Sequence, residues 1–105
     1  MTRGDVYRVR LPQRGGHEQT GSRYAVIVQA DELLALSTAI VAPTSRSARP
    51  ATFRPEIEVH GERTRVLVEQ LRAVDVDRLT EQAGHLAAGE QRSLDDALAI
   101  VLGGG

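Results

Sequence analysis

Residues 23–29, RYAVIVQ, are an apolar run rich in β-branched side chains, set directly behind a long polar loop. Val and Ile lose rotamer freedom in a helix and pack well on a pleated surface. A short continuous run of this kind predicts a strand buried on both faces. The loop before it, residues 12–22, carries three Gly and opens with Pro12. Loops of this length inside small domains often carry function.

Short strand signals recur at close spacing around that run. DVYRVRL (5–11) alternates, with Val6, Arg8 and Arg10 on one parity and Tyr7, Val9 and Leu11 on the other. This predicts a strand with one wet face, stopped by Pro12. DELLAL (31–36) reads as a short helical turn, and STAIVAPT (37–44) as a third strand closed near Pro43. Residues 45–55, SRSARPATFRP, form a second polar, Arg-rich loop. EIEV (56–59) alternates again, HGER (60–63) supplies a hairpin Gly, and TRVLVEQLRAV (64–74) reads as one further strand. DVDRL predicts a short turn, and EQAGHLA is ambiguous between strand and coil. From Gly89 to Leu102, Leu94, Ala97, Leu98 and Val101 fall at i, i+3, i+4 and i+7, the spacing of an amphipathic helix. Ser93 and Asp96 have the spacing of a capping box.

Five or six short strands followed by one helix predict a mainly β domain. The economical architecture is a strongly curved antiparallel sheet or barrel packed by the C-terminal helix. With 105 residues the chain has room for one core, so residues 1–102 are expected to form a single domain and 103–105 a flexible tail.

Composition removes several chemistries. There is no Cys, hence no disulfide, thiolate nucleophile or Cys-based zinc site. No stretch approaches the ~18 apolar residues of a membrane span, and the polar start leads into no signal core. A soluble, cytoplasmic protein with no membrane contact is the expectation. Residues 1–55 carry eight Arg against four acids, whereas residues 56–105 carry five Arg against ten. The front half is therefore suited to a polyanion. Every basic residue is Arg, whose planar donor fork fits phosphate.

Among the three His, His60 reads as a surface turn residue beside Gly61 and His85 as structural; His17 alone lies in a long polar loop beside an acid. No pair has metal-ligand spacing, so no metal and no cofactor is expected. No nucleophile elbow or phosphate-binding Gly-rich loop occurs. Tyr7, Tyr24 and Phe53 are too few for a base-stacking platform. There remain an Arg at a loop–strand junction, a Thr-Ser pair at a strand end, and Arg-rich loops. This set suits binding and reaction at a phosphodiester, where extra negative charge builds as phosphorus becomes pentacoordinate.

With those residues in view, the chain resembles the MazF/PemK-like toxins, the ribosome-independent mRNA interferases of type II toxin–antitoxin pairs. RGDVY (3–7) is similar to the family's first strand, and GGHEQTGSRYAVIV (15–28) to its G-x-E-Q-x-G-x-R-P segment. IVAPTS (40–45) is similar to the strand that ends in Thr-Ser, and VLVEQLRAVDVDRL (66–79) to the apolar strand, Asp/Glu-Gln and turn. The resemblance spans nearly the whole chain in order. It implies an SH3-like, strongly twisted sheet with a C-terminal helix, a homodimer, and a cognate MazE-like antitoxin. It also implies metal-independent, sequence-specific cleavage of single-stranded mRNA by attack of the 2′-hydroxyl, leaving a 2′,3′-cyclic phosphate and a 5′-hydroxyl.

The family's catalytic Arg falls on Arg23 and its Thr on Thr44, with Ser45 assisting. Its loop acid falls on Glu18, and GHEQ reproduces the His-bearing loop of the PemK-like branch, adding His17. Free Arg is too weak an acid to serve as a base near neutrality. Arg23 is therefore assigned charge stabilisation and proton donation, with proton removal left to Glu18 or His17. Gln19, Gln70, Arg46, Arg49 and Arg65 are expected on the RNA side. Arg65 stands two residues from Leu67, where some members carry an Arg. Tyr24 takes the place of the family's usual Pro, which frees φ and adds a donor. Two alternatives are a CcdB-like gyrase poison, whose Trp-containing end this chain lacks, and a catalytically weak family member that binds RNA or antitoxin only.

Overall fold

Strand β1 (Asp5–Leu11) and strand β2 (Gly21–Ile27) pair antiparallel, with Val6 opposite Val26, Arg8 opposite Tyr24 and Val9 opposite Arg23. The computed structural model describes residues 1–11 and 21–104. Beyond β2 the chain makes a 3-10 turn at Asp31–Leu33 and returns as β3 (Thr38–Ser45). The buried Gln29 organises that return. Its Nε2 donates to the Leu33 oxygen at 2.7 Å and its Oε1 accepts from Ile40 N at 3.0 Å.

Strands β4 (Glu56–Val59) and β5 (Glu62–Val66) form a hairpin joined by His60 and Gly61, with φ of 52° and 79°. Two consecutive positive φ values define the tight primed turn that matches strand twist, so His60 occupies a conformation that side chains other than Gly rarely adopt.

The stretch expected as one strand over 64–74 is broken. After β5 comes a 3-10 turn at Val68–Gln70, then β6 (Arg72–Asp75). Both flanks pair with β3: Thr44 opposite Val66, and Val41 opposite Arg72. Two residues of β3 thus face five of the partner, and the three extra ones are accommodated in the turn. Val68 is fully buried there, and Leu67 N donates to the Pro43 oxygen at 2.8 Å. Burial of apolar side chains at the bulge offsets the lost ladder.

After a further 3-10 turn at Val76–Arg78, β7 (Leu79–His85) resolves the ambiguous EQAGHLA segment as strand, antiparallel to β1. The sheet order is β4-β5-β3-β2-β1-β7, with β6 also on β3. The result is a curled antiparallel half-barrel closed by α1 (Ala88–Leu102). Val6, Val26, Ala42, Ile57, Val66 and Val68 pack with Leu94 and Ala97 of the helix on one face. Val9, Leu11, Ala25, Ile27, Val41 and Val74 pack on the other. The expected single wet face of β1 is therefore corrected: Val6, Val9 and Leu11 are all buried, and Arg10 is exposed.

The helix keeps its expected face, with Leu94 and Ala97 buried and Leu98 and Val101 packed against the core. It starts at Ala88, one residue before the expected Gly89, so Ser93 lies inside the helix and does not cap it. Glu90 Oε1 accepts from Ala87 N and Oε2 from Glu58 N, each at 2.9 Å. One carboxylate thus satisfies a helix-end amide and ties α1 to β4. Gly103, at φ 71°, closes the helix in the left-handed conformation.

Candidate active site

The curl of the sheet opens a cleft of about 390 Å3 lined by Arg8, Arg23, Tyr24, Thr44, Ser45, Arg46, Val59, Glu62 and Thr64. It lies where three strand systems meet. Strand β2 brings Arg23 and Tyr24, β3 brings Thr44 and Ser45, and the β4–β5 hairpin brings Val59, Glu62 and Thr64. Pro43 lies opposite Ala25 and has no N–H for the β2–β3 ladder beside it. One residue later β3 takes β5 as its partner, so Thr44 sits at the point where the sheet divides.

Thr44 is buried, and its Oγ1 donates to the Tyr24 carbonyl oxygen at 2.9 Å. The hydroxyl thus restores a bond at the edge of the ladder and joins the strand of Arg23 to the strand of Ser45. Ser45 is also buried; its Oγ lies 3.2 Å from Ser47 Oγ and accepts from Ser47 N at 3.3 Å. Arg23 is exposed at the cleft. Consecutive strand residues point to opposite faces, so Tyr24 follows the parity of Arg8 and Thr44 while Arg23 follows that of Ala25.

Four cleft residues expected from the sequence therefore come together: Arg23, Thr44, Ser45 and Arg46. Arg46 Nη1 is 2.5 Å from Glu62 Oε2, an exposed pair at the cleft. Arg49, Arg65 and Gln70 stand apart from the lining. Arg49 is exposed, and its carbonyl accepts from Arg54 Nη1 at 3.2 Å. Arg65, on the opposite parity from Thr64, donates to the Arg54 oxygen at 3.0 Å and approaches Glu56 at 3.6 Å. Arg65 braces residues 54–56 instead of facing the cleft. Gln70 ends the Val68–Gln70 turn, half-buried. His17, Glu18 and Gln19 lie outside the described residues.

Sequence reasoning passed over Arg8 and Glu62. Arg8 Nη2 donates to Tyr24 Oη at 3.0 Å, and its Cζ lies 4.7 Å from the Tyr24 ring centroid. The available signal was parity: Arg8 alternates with the core residue Val6, so a strand neighbour on that face had to meet it. Glu62 carried no signal, because its place depends on the hairpin folding over β3. Elsewhere, His85 is exposed, with Nδ1 2.8 Å from Asp5 Oδ1, and ties β7 to β1. Among the described residues no group of three His, Asp or Glu gathers as a metal site. Among them, too, no helix is long and apolar enough to cross a membrane.

A family model described as PemK-like, MazF-like toxin of type II toxin–antitoxin system matches residues 2–102. A candidate toxin of Mycobacterium tuberculosis is 41% identical over 105 residues, covering 98% of each chain. Among solved structures, MazF from Deinococcus radiodurans superposes with a TM-score of 0.84 at 23% identity, covering 98% of this chain and 96% of that one. A mycobacterial endoribonuclease in complex with its cognate antitoxin also gives 0.84, at 18% identity, covering 98% and 95%. At these identities the structures speak to the fold alone.

Proposed function

Because the chain belongs to the PemK-like, MazF-like toxins of type II toxin–antitoxin systems, we propose that it is a metal-independent, sequence-specific endoribonuclease. The observation that carries this reading is the convergence of Arg23, Thr44, Ser45 and Arg46 on one cleft. The substrate is single-stranded mRNA, and no cofactor takes part.

In the proposed reaction the ribose 2′-oxygen attacks the adjacent phosphorus while the bond to the 5′-oxygen breaks. The products are a 2′,3′-cyclic phosphate and a 5′-hydroxyl. Glu18 or His17 takes the 2′-hydroxyl proton. Arg23 neutralises the charge that builds on the non-bridging oxygens and delivers a proton to the departing oxygen. Thr44 holds the two strands so that Arg23 and Ser45 stay in register, and its oxygen keeps lone pairs for an arginine or an RNA hydroxyl. Gln19, Arg46 and Arg49 contact the RNA strand, while Arg65 and Gln70 support the neighbouring backbone. The protein acts in the cytoplasm as a homodimer. A MazE-like antitoxin with an acidic extended tail covers the Arg-rich surface, an affinity that weakens as salt rises.

Incubation of the purified protein with a long single-stranded RNA in EDTA, with end mapping, tests the reading. Cleavage at a recurring short sequence with cyclic-phosphate ends is expected, and lost on Arg23→Ala. Absence of such ends overturns it. Gyrase-dependent DNA breakage would instead favour the CcdB-like alternative, and RNA binding without turnover the binding-only one.

A further inference from the structure

The cleft has two walls that come from separate parts of the chain. Arg23 and Tyr24 stand on β2, and Val59, Glu62 and Thr64 on the β4–β5 hairpin. The hairpin pairs with β3 at Thr44–Val66 and Ser45–Arg65, and beyond these its strands pair with each other. Its tip reaches the other wall through His60, whose ring meets the Tyr24 ring edge-on with centroids 5.8 Å apart and planes at 61°. Aromatic pairs of this geometry attract beyond the area they bury. The contact therefore selects among the χ1 rotamers open to a Tyr in a strand.

Tyr24 carries that contact into the centre of the site. It directly follows Arg23, and its carbonyl oxygen accepts from Thr44 Oγ1 at 2.9 Å. The hairpin turn itself makes no use of an imidazole. With φ of 52° at His60 and 79° at Gly61 it is a primed turn, for which Asn-Gly is the favoured pair. His tolerates the left-handed region, and among the described contacts the partner of its ring is Tyr24, across the cleft.

We propose that His60 is a positioning residue of the cleft. It holds the hairpin wall and the Tyr24 ring at one separation, and so seats the reacting phosphodiester against Arg23. A misplacement of about 1 Å is enough to cost up to about 10² in rate. The inference rests on the endoribonuclease reading and assigns the cleft's shape to a residue outside its lining.

The test is a double-mutant cycle on cleavage of the RNA segment identified by end mapping. His60→Asn keeps the turn with its favoured pair and removes the ring. Rates are measured well below the unfolding midpoint of every variant, so that folding does not enter them. Single-turnover cleavage by His60→Asn is expected to slow about tenfold at saturating RNA. The half-saturating RNA concentration should change by less than about twofold, because the contacts that bind the strand remain. Tyr24→Leu removes the partner ring, so adding His60→Asn to it should slow the reaction by no more than about twofold further. A His60→Asn rate equal to the parent's overturns the inference. So does a full tenfold slowing in the Tyr24→Leu background, which would have His60 act on the RNA without Tyr24. Either result leaves the proposed function standing. A parent that leaves RNA intact overturns the proposed function and this role with it.

Discussion

Thr44 Oγ1 donates a 2.9 Å hydrogen bond to the main-chain oxygen of Tyr24, the residue directly after Arg23. The bond stands beside Pro43, which has no N–H to give to the ladder. A side chain therefore supplies the crosslink between β2 and β3 at the cleft. Thr44→Val keeps the shape and removes the donor, leaving a part-buried carbonyl without this bond. It should lower stability by about 0.5–1.5 kcal/mol, whereas Thr44→Ser should lose less. Urea unfolding of the three proteins reads this directly, and an unchanged midpoint for the Val variant would show that the bond contributes nothing.

Arg23 is exposed, so its removal should leave folding intact and act on chemistry. Arg23→Ala is expected to slow single-turnover RNA cleavage by about 10²–10³, the usual cost of losing a charge-stabilising donor. Arg23→Lys retains charge without the fork and should recover only part of the rate. Equal rates for the Ala variant and the parent would remove Arg23 from the mechanism.

Glu90 joins two elements through one carboxylate, accepting from Ala87 N and Glu58 N at 2.9 Å each. Glu90→Ala hands both exposed amides to water and should cost about 0.5–1.5 kcal/mol. Hydrogen exchange at those two amides should accelerate before that of the central strands. Protection that is unaltered at both would contradict the capping role.

Asp31 anchors the N-terminus. The Arg3 backbone N–H, foremost, and the Thr2 hydroxyl donate to its Oδ1 at 2.7 and 2.8 Å, and hold its carboxyl below the ordinary Asp value. A lowered folded pKa means that the unfolded state binds the proton first as pH falls. The stabilisation is complete above the ordinary value of 3.8 and is lost as pH falls through the folded value. NMR titration should show the Arg3 amide shifting with Asp31, and Asp31→Asn should abolish that acid-range transition.

Arg46 and Glu62 form a solvent-exposed ion pair at the cleft. Such pairs stabilise a fold by at most about 1 kcal/mol. Glu62→Gln should therefore leave thermal unfolding nearly unchanged. It frees Arg46 and removes a like charge from the path of RNA, so affinity at low salt should rise and the gain should shrink at high salt. Weaker binding at low salt would assign Glu62 a contact with the RNA instead.

Much of the architecture was legible because burial imposes a period. The run at 23–29, the alternation at 56–59 and the i, i+3, i+4, i+7 spacing of Leu94, Ala97, Leu98 and Val101 each specify an element with its inward face. The same logic failed at 64–74. Apolarity marks Val66, Leu67 and Val68 as buried, but it does not say that three residues bulge out so that β3 can pair with both flanks. At the helix start the pattern placed the first turn to within one residue of Ala88, but not the cap, because Glu90 reaches both Ala87 N and the amide of a strand residue, Glu58.

The sequence by itself determined the chemistry on offer: an Arg-rich front half, Arg23 at a loop–strand junction, and Thr44 and Ser45 at a strand end. Only the tertiary structure decided which of these meet. Arg46 reaches the cleft while Arg65 turns to Glu56 and the Arg54 carbonyl, because adjacent β5 residues project to opposite faces and Thr64 holds the inner one. Arg8 and Glu62 enter the cleft through strand register and hairpin closure, which are long-range pairings that no local pattern encodes.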